Sequence, residues 1–85
     1  MTISDAKHYL QTIDPETVGL IKEYKDIVDN LEIYEFRGDQ LYAVSVVAEI
    51  EALTSDYHII ALGEGYVNSI SEFEQIYDAL CLIEN

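Results

Sequence analysis

The sequence predicts a small α+β domain, ordered α-α-β-β-β-α, with helices packed on one face of a three-stranded antiparallel sheet. Three observations point to it. Apolar residues recur at helical spacing in the first 30 residues and again after Ser69. Between them lies a stretch rich in Ile, Val, Tyr and Phe, with runs of two-residue alternation. Gly38-Asp39, Thr54-Ser55-Asp56 and Gly63-Glu64-Gly65 punctuate that stretch as turns.

Each element has its own signal. Thr2 and Asp5 have capping-box spacing, and Ile3, Ala6, Leu10 and Ile13 follow at helical intervals, which predicts a first helix over 3–12. Asp14-Pro15-Glu16 starts a second: an N-cap side chain, a proline where no donor is missed, and an acid near the positive end of the dipole. It runs to about Asn30, with Leu20, Ile21, Tyr24, Ile27, Val28 and Leu31 as its apolar stripe. Strands are expected over 31–37, 41–52 and 57–62, the first two joined by a hairpin turn at Gly38-Asp39. Along the second, Tyr42, Val44, Val46, Ala48 and Ile50 would share one face and Ser45, Val47, Glu49 and Glu51 the other. A final helix over 71–83 opens with the overlapping spacings Ser69 to Glu72 and Ser71 to Glu74, and carries Ile70, Phe73, Ile76, Tyr77, Leu80 and Ile83 on its apolar side.

The 85 residues are enough for one domain and too few for a deep substrate cleft. Hydrophobic residues make up 49%, which separates the chain from disordered acidic sequences. No apolar run is long enough to span a bilayer, and Met1-Thr2-Ile3-Ser4-Asp5 has neither the basic nor the apolar region of a secretion signal, so a cytoplasmic setting is expected. The single Cys81 falls in an apolar helical pattern and reads as a buried, inert thiol.

Charge is the feature that points towards function. Asp and Glu total 17 against 4 Lys and Arg, a formal charge of -13, and every Lys and Arg lies at or before Arg37. After it come Asp39, Glu49, Glu51, Asp56, Glu64, Glu72, Glu74, Asp78 and Glu84 with no fixed positive charge to answer them. Such a chain repels nucleic acid and anionic membranes and is steered towards a basic partner. On a strand, acids at i and i+2 stand about 6.6–6.8 Å apart. An array of that kind has the charge pattern of a nucleic-acid backbone. The predicted partner-binding set is Asp39, Glu49, Glu51, Asp56, Glu64, Glu72, Glu74 and Asp78, joined by Tyr66 as the exposed tyrosine of the 63–69 loop.

Other chemistries fit less well. His8 and His58 are isolated, no nucleophile has a base at a legible spacing, and no catalytic residue is assigned. Asp14 with Glu16, Glu49 with Glu51, and Glu72 with Glu74 are carboxylate pairs of the kind a hard cation takes, but no calcium-loop spacing accompanies them, so no metal and no cofactor is expected. An acid between Gly63 and Gly65 argues against a phosphate loop, and Arg37-Gly38-Asp39 reads as a strand end and turn rather than an adhesion motif.

Size, the predicted scaffold and the unanswered acids from Asp39 to Glu84 together resemble the small acidic inhibitors of phages and mobile elements, especially anti-CRISPR proteins and other nucleic-acid mimics. The likeness is one of type over the whole chain and transfers no individual residue. It implies a non-enzymatic inhibitor that occupies the basic nucleic-acid channel of a CRISPR effector or another DNA-handling enzyme. Two alternatives stand beside it: an immunity or antitoxin protein covering a basic nuclease, and a homodimeric adaptor that buries an exposed sheet face through Val47, Leu53 or Ile59.

Overall fold

The computed structural model describes residues 1–33 and 40–84, and in them the chain forms four helices: α1 (Ile3–Gln11), α2 (Pro15–Ile33), α3 (Gln40–Gly63) and α4 (Ile70–Glu84). The protein is all-α, which overturns the expected α+β fold. Residues 41–52, the supposed turn at 54–56 and the supposed strand 57–62 are one continuous helix, α3, and residues 31–33 close α2. Among the described residues there is no strand. The hairpin turn at Gly38-Asp39 and the rest of the first strand fall outside the described residues.

The reason lies in what α3 lacks and contains. No Gly or Pro interrupts the chain between Gly38 and Gly63, and Ala48-Glu49-Ile50-Glu51-Ala52-Leu53 consists mainly of strong helix formers. Val44, Val46 and Val47 each disfavour a helix by only about 0.5 kcal/mol relative to Ala, which packing overrides. Thr54, part of the supposed turn, donates its hydroxyl to the Ile50 carbonyl one turn back at 2.7 Å, so its polar group is satisfied inside the helix.

The flanking elements follow their signals closely. At the start of α1 the Thr2 hydroxyl accepts from the Asp5 amide at 3.1 Å and the Asp5 carboxylate accepts from the Thr2 amide at 3.2 Å. Those hydrogen bonds hold the Asp5 carboxyl below its ordinary value. The Asp14 carboxylate accepts from the Glu16 amide at 2.9 Å, at the entry of α2. Gly65, at φ 78°, lets the chain turn after α3. On α4 the Ser69 hydroxyl accepts from the Glu72 amide at 3.2 Å, so the first of the two predicted capping spacings is the one used.

Ile21, Tyr24 and Val28 from α2, Ala61 from α3, Val67 from the following loop, and Phe73, Ile76 and Leu80 from α4 form the core. Tyr24 is its hub. Its ring centroid lies 5.2 Å from that of Tyr57, 5.4 Å from Phe73 and 5.6 Å from Tyr77, with the Phe73 contact edge-on. Tyr24 meets Thr54 on α3, whereas Thr17, two turns earlier, donates to the Tyr66 carbonyl beyond the end of α3 at 3.0 Å. α2 and α3 therefore run antiparallel. α1 packs mainly on α4, while α3 packs more on α2 than on α4. The Cα extents are 42 × 29 × 17 Å, a flat slab in which a long helix has neighbours on one side and solvent on the other.

Candidate functional site

Conversion of the sheet into a helix changes where the predicted acids point. On α3, Glu49 and Glu51 are separated by about 200° around the axis rather than sharing a face, whereas Glu49 and Asp56, seven residues apart, return to nearly the same side. All three are exposed. Glu64 is exposed just beyond the helix, and Glu74 and Asp78 are exposed one turn apart on α4. No strand-spaced array of carboxylates exists on α3. In its place are two short pairs, Glu49 with Asp56 and Glu74 with Asp78, and single acids at Glu51 and Glu64.

Two of the predicted contact residues have other tasks. Glu72 is half-buried, and its carboxylate accepts from the Asn68 amide at 3.1 Å at the head of α4. Tyr66 is half-buried against the core rather than exposed, with its carbonyl engaged by Thr17. Asp39 lies outside the described residues. Tyr9, whose hydroxyl donates to the Gln75 side chain at 3.4 Å, is shifted to a higher pKa by burial and by the nearby Glu72 carboxylate.

Glu84, counted in the sequence among acids without an answering charge, has one in the fold. Lys25 on α2 is 5% exposed and its ammonium pairs with Asp29, one turn on, and with Glu84 at 3.0 Å. Hydrogen bonds that the ammonium donates to Asp29 and then to Glu84 raise the lysine above its ordinary value of 10.5, against the opposing effect of burial. Carboxylate oxygens of Asp26, Asp29 and Glu84 lie within 4.8 Å of one another, a grouping that sequence spacing did not bring together. Only the Lys25 to Asp29 step of four residues was visible beforehand. The lysine ammonium supplies the cation there, so the group has a structural account without a metal.

The apolar surface is as notable as the acidic one. A shallow groove of about 480 Å³ runs along α3 to the head of α4, lined by Ile50, Ser55, His58, Ile59, Leu62 and Ile70 with Glu51 among them. His58 stands on α3, not on a strand, with its ring edge-on to Phe73 at 4.7 Å. Of the three residues assigned to an apolar sheet face, Val47 and Ile59 are exposed and Leu53 packs half-buried against the core. They share no face, because all three lie on the helix α3 at different angles around its axis. Cys81 is a half-buried free thiol, its pKa raised by burial. Among the described residues no helix is long and apolar enough to cross a membrane.

Comparison with protein-family models, curated proteins and solved structures finds no match, so function is read from the residues and their geometry alone.

Proposed function

We propose that the protein is a non-enzymatic acidic inhibitor, acting in the cytoplasm, that binds a basic nucleic-acid-binding surface of a CRISPR effector or another DNA-handling enzyme and blocks access to it. The supporting observation is the state of the carboxylates on α3 and α4. Among the described residues, the Lys and Arg ion pairs are those of Lys25 with Asp29 and Glu84, which leaves Glu49, Glu51, Asp56, Glu64, Glu74 and Asp78 exposed to solvent without a cation. Lysines and arginines that hold phosphates would pair with them, each charge-assisted contact being stronger than a neutral hydrogen bond. With a net charge of -13, long-range attraction would speed encounter with a basic cleft. A helical scaffold presents four of these acids as two pairs, Glu49 with Asp56 on α3 and Glu74 with Asp78 on α4, so the proposed contact is made from both helices together.

The test is capture of partners by the tagged protein from host extract at low and high salt, followed by competition between the protein and nucleic acid for the captured enzyme. Glu49→Lys with Asp56→Lys, and Glu74→Lys with Asp78→Lys, are the informative variants. Loss of competition in either pair and weakening by salt support the reading. Binding that is indifferent to both salt and charge reversal rejects it.

A further inference from the structure

α3 is apolar on two opposite sides. Towards the core it presents Val46, Ile50, Leu53, Tyr57 and Ala61, all buried or half-buried. Away from it lie Leu41, 82% exposed, Val44, 61%, Ile59, 66%, and Leu62, 39%. Between those two ends are Ala48, Ala52 and Ser55, also exposed. At about 100° per residue these outer positions occupy a sector of about 80°, opposite the core-facing residues. They succeed one another by steps of three and four, the spacing of a seam that packs along its length on another helix. Single exposed apolar residues are ordinary, but this is an uncharged stripe about 32 Å long. Glu51 flanks it on one side and Glu49 and Asp56 on the other.

The order of side chains along the stripe selects what covers it. Large residues stand at both ends and small ones in the middle. A two-fold axis crossing the helix between Glu51 and Ala52 exchanges position 41 with 62, 44 with 59, and 48 with 55, and at its centre pairs Ala52 with Glu51, which places the two Glu51 carboxylates beside the axis. Leucine thus maps onto leucine, valine onto isoleucine, and alanine onto serine. Two-fold interfaces require this self-complementarity, because one patch must fit itself. We infer that α3 packs antiparallel against α3 of a second copy of this chain. Val44 of one copy then meets Ile59 of the other, and Leu41 enters the groove beside Leu62 and Ile70. Ala48, Ala52 and Ser55 let the two helices approach at the short end of the usual 8–10 Å range.

The inference is distinguishable from the inhibitor reading, since it uses the outer stripe of α3 and, of the acids, only Glu51 at the edge of that stripe. Two chains of charge -13 repel, so salt should strengthen the dimer, whereas it weakens contact with a basic partner. Sedimentation of the full chain from micromolar to submillimolar concentration, at 50 mM and 1 M salt, reads this directly. A reversible dimer is expected, tightening several-fold at high salt. Val44→Asp with Ile59→Asp should weaken it at least 100-fold with the helical circular dichroism and melting temperature of the monomer retained, both residues being exposed. In a Cys81→Ser background, Val44→Cys combined with Ile59→Cys should oxidise to a covalent dimer, while Val44→Cys alone should not. A monomer at every concentration, a dimer that survives the aspartates, or efficient cross-linking by Val44→Cys alone would each overturn the proposal. So would a chain that stays monomeric yet binds a Leu/Lys amphipathic 18-residue peptide on this stripe, which would assign the face to a basic helix. Glu74→Lys with Asp78→Lys, which lowers the repulsion between copies, should not weaken the dimer while it removes binding to a basic partner, so the two readings fail separately.

Discussion

The Tyr24 hydroxyl lies 2.7 Å from the Thr54 hydroxyl, and because Thr54 spends its proton on the Ile50 carbonyl, the tyrosine must be the donor. This two-step relay ties the middle of α2 to the middle of α3 at the point where four aromatic rings meet. Tyr24→Phe removes one hydrogen bond while Thr54 keeps its own, so a loss of about 1 kcal/mol is expected in urea unfolding. Tyr24→Ala also removes the ring at the hub and should cost about 3–5 kcal/mol, enough to unfold a domain of this size. Equal losses in the two variants would mean that the ring contributes nothing beyond its hydroxyl.

Lys25 answers two carboxylates from within the protein, and its removal leaves Asp26, Asp29 and Glu84 clustered without a cation. Lys25→Met should destabilise by about 1–3 kcal/mol at pH 7, below the full cost of breaking a buried pair because Asp29 and Glu84 are partly solvated. Thermal melts of the two proteins at pH 7 check this.

Alkaline pH should destabilise the fold through groups that all act in one direction. Lys25 is raised by Asp29 and Glu84, and Tyr57, Tyr9 and Cys81 are raised by burial. A raised group holds its proton more tightly when folded. Its stabilisation is complete below the unfolded value and is lost as pH climbs through the folded one. The loss therefore begins near pH 8.5, where an unfolded cysteine ionises, and steepens above about 10, where unfolded tyrosine and lysine follow. The melting temperature should fall continuously from pH 8 to 11, and Cys81 should react slowly with a thiol reagent at pH 8 until the protein unfolds.

Not every acid can be reversed without cost to the fold. Glu49, Asp56, Glu74 and Asp78 are exposed, and reversal to Lys should change stability by no more than about 0.5 kcal/mol. Glu72 is different, since its carboxylate caps the head of α4, and Glu72→Lys should cost about 0.5–2 kcal/mol. A denaturation series across the five variants separates loss of binding from loss of structure.

Gly65 offers a further check on the turn between α3 and α4. A Cβ added there meets no atom within 4 Å, so the penalty of Gly65→Ala comes from its positive φ alone. About 1 kcal/mol is expected in chemical denaturation, with the same slope on denaturant as the parent.

The ends of the chain were legible and the middle was not. Thr2 with Asp5, Asp14-Pro15-Glu16 and Ser69 with Glu72 are local hydrogen-bonding signals, and each marks a real helix start. Ile21, Tyr24, Val28, Phe73, Ile76 and Leu80 were placed on core-facing stripes and are buried. In α3 the helical period is masked because both sides of the helix are apolar, so that Val44 on the outside and Val46 on the inside imitate a strand. A helix hydrophobic all round carries no amphipathic signature. The absence of Gly and Pro over 39–62 was the signal that outweighed the β-branched composition. The pairing of Lys25 with Glu84 was beyond reach for another reason: it joins residues far apart in sequence and depends on how α2 meets α4.

The aromatic hub also makes the core of this helical domain depend on contacts distant in sequence. Helical domains usually fold quickly because most of their contacts are local. Here Tyr24 finds Thr54 across 30 residues and Phe73 only after α3 and its following loop have been traversed. The loop-closure entropy must be met before any of the ring contacts forms. The ring contacts of Tyr24 with Phe73 and Tyr77 thus carry a larger closure entropy than its contact with Tyr57, because α3 and its following loop lie between the partners.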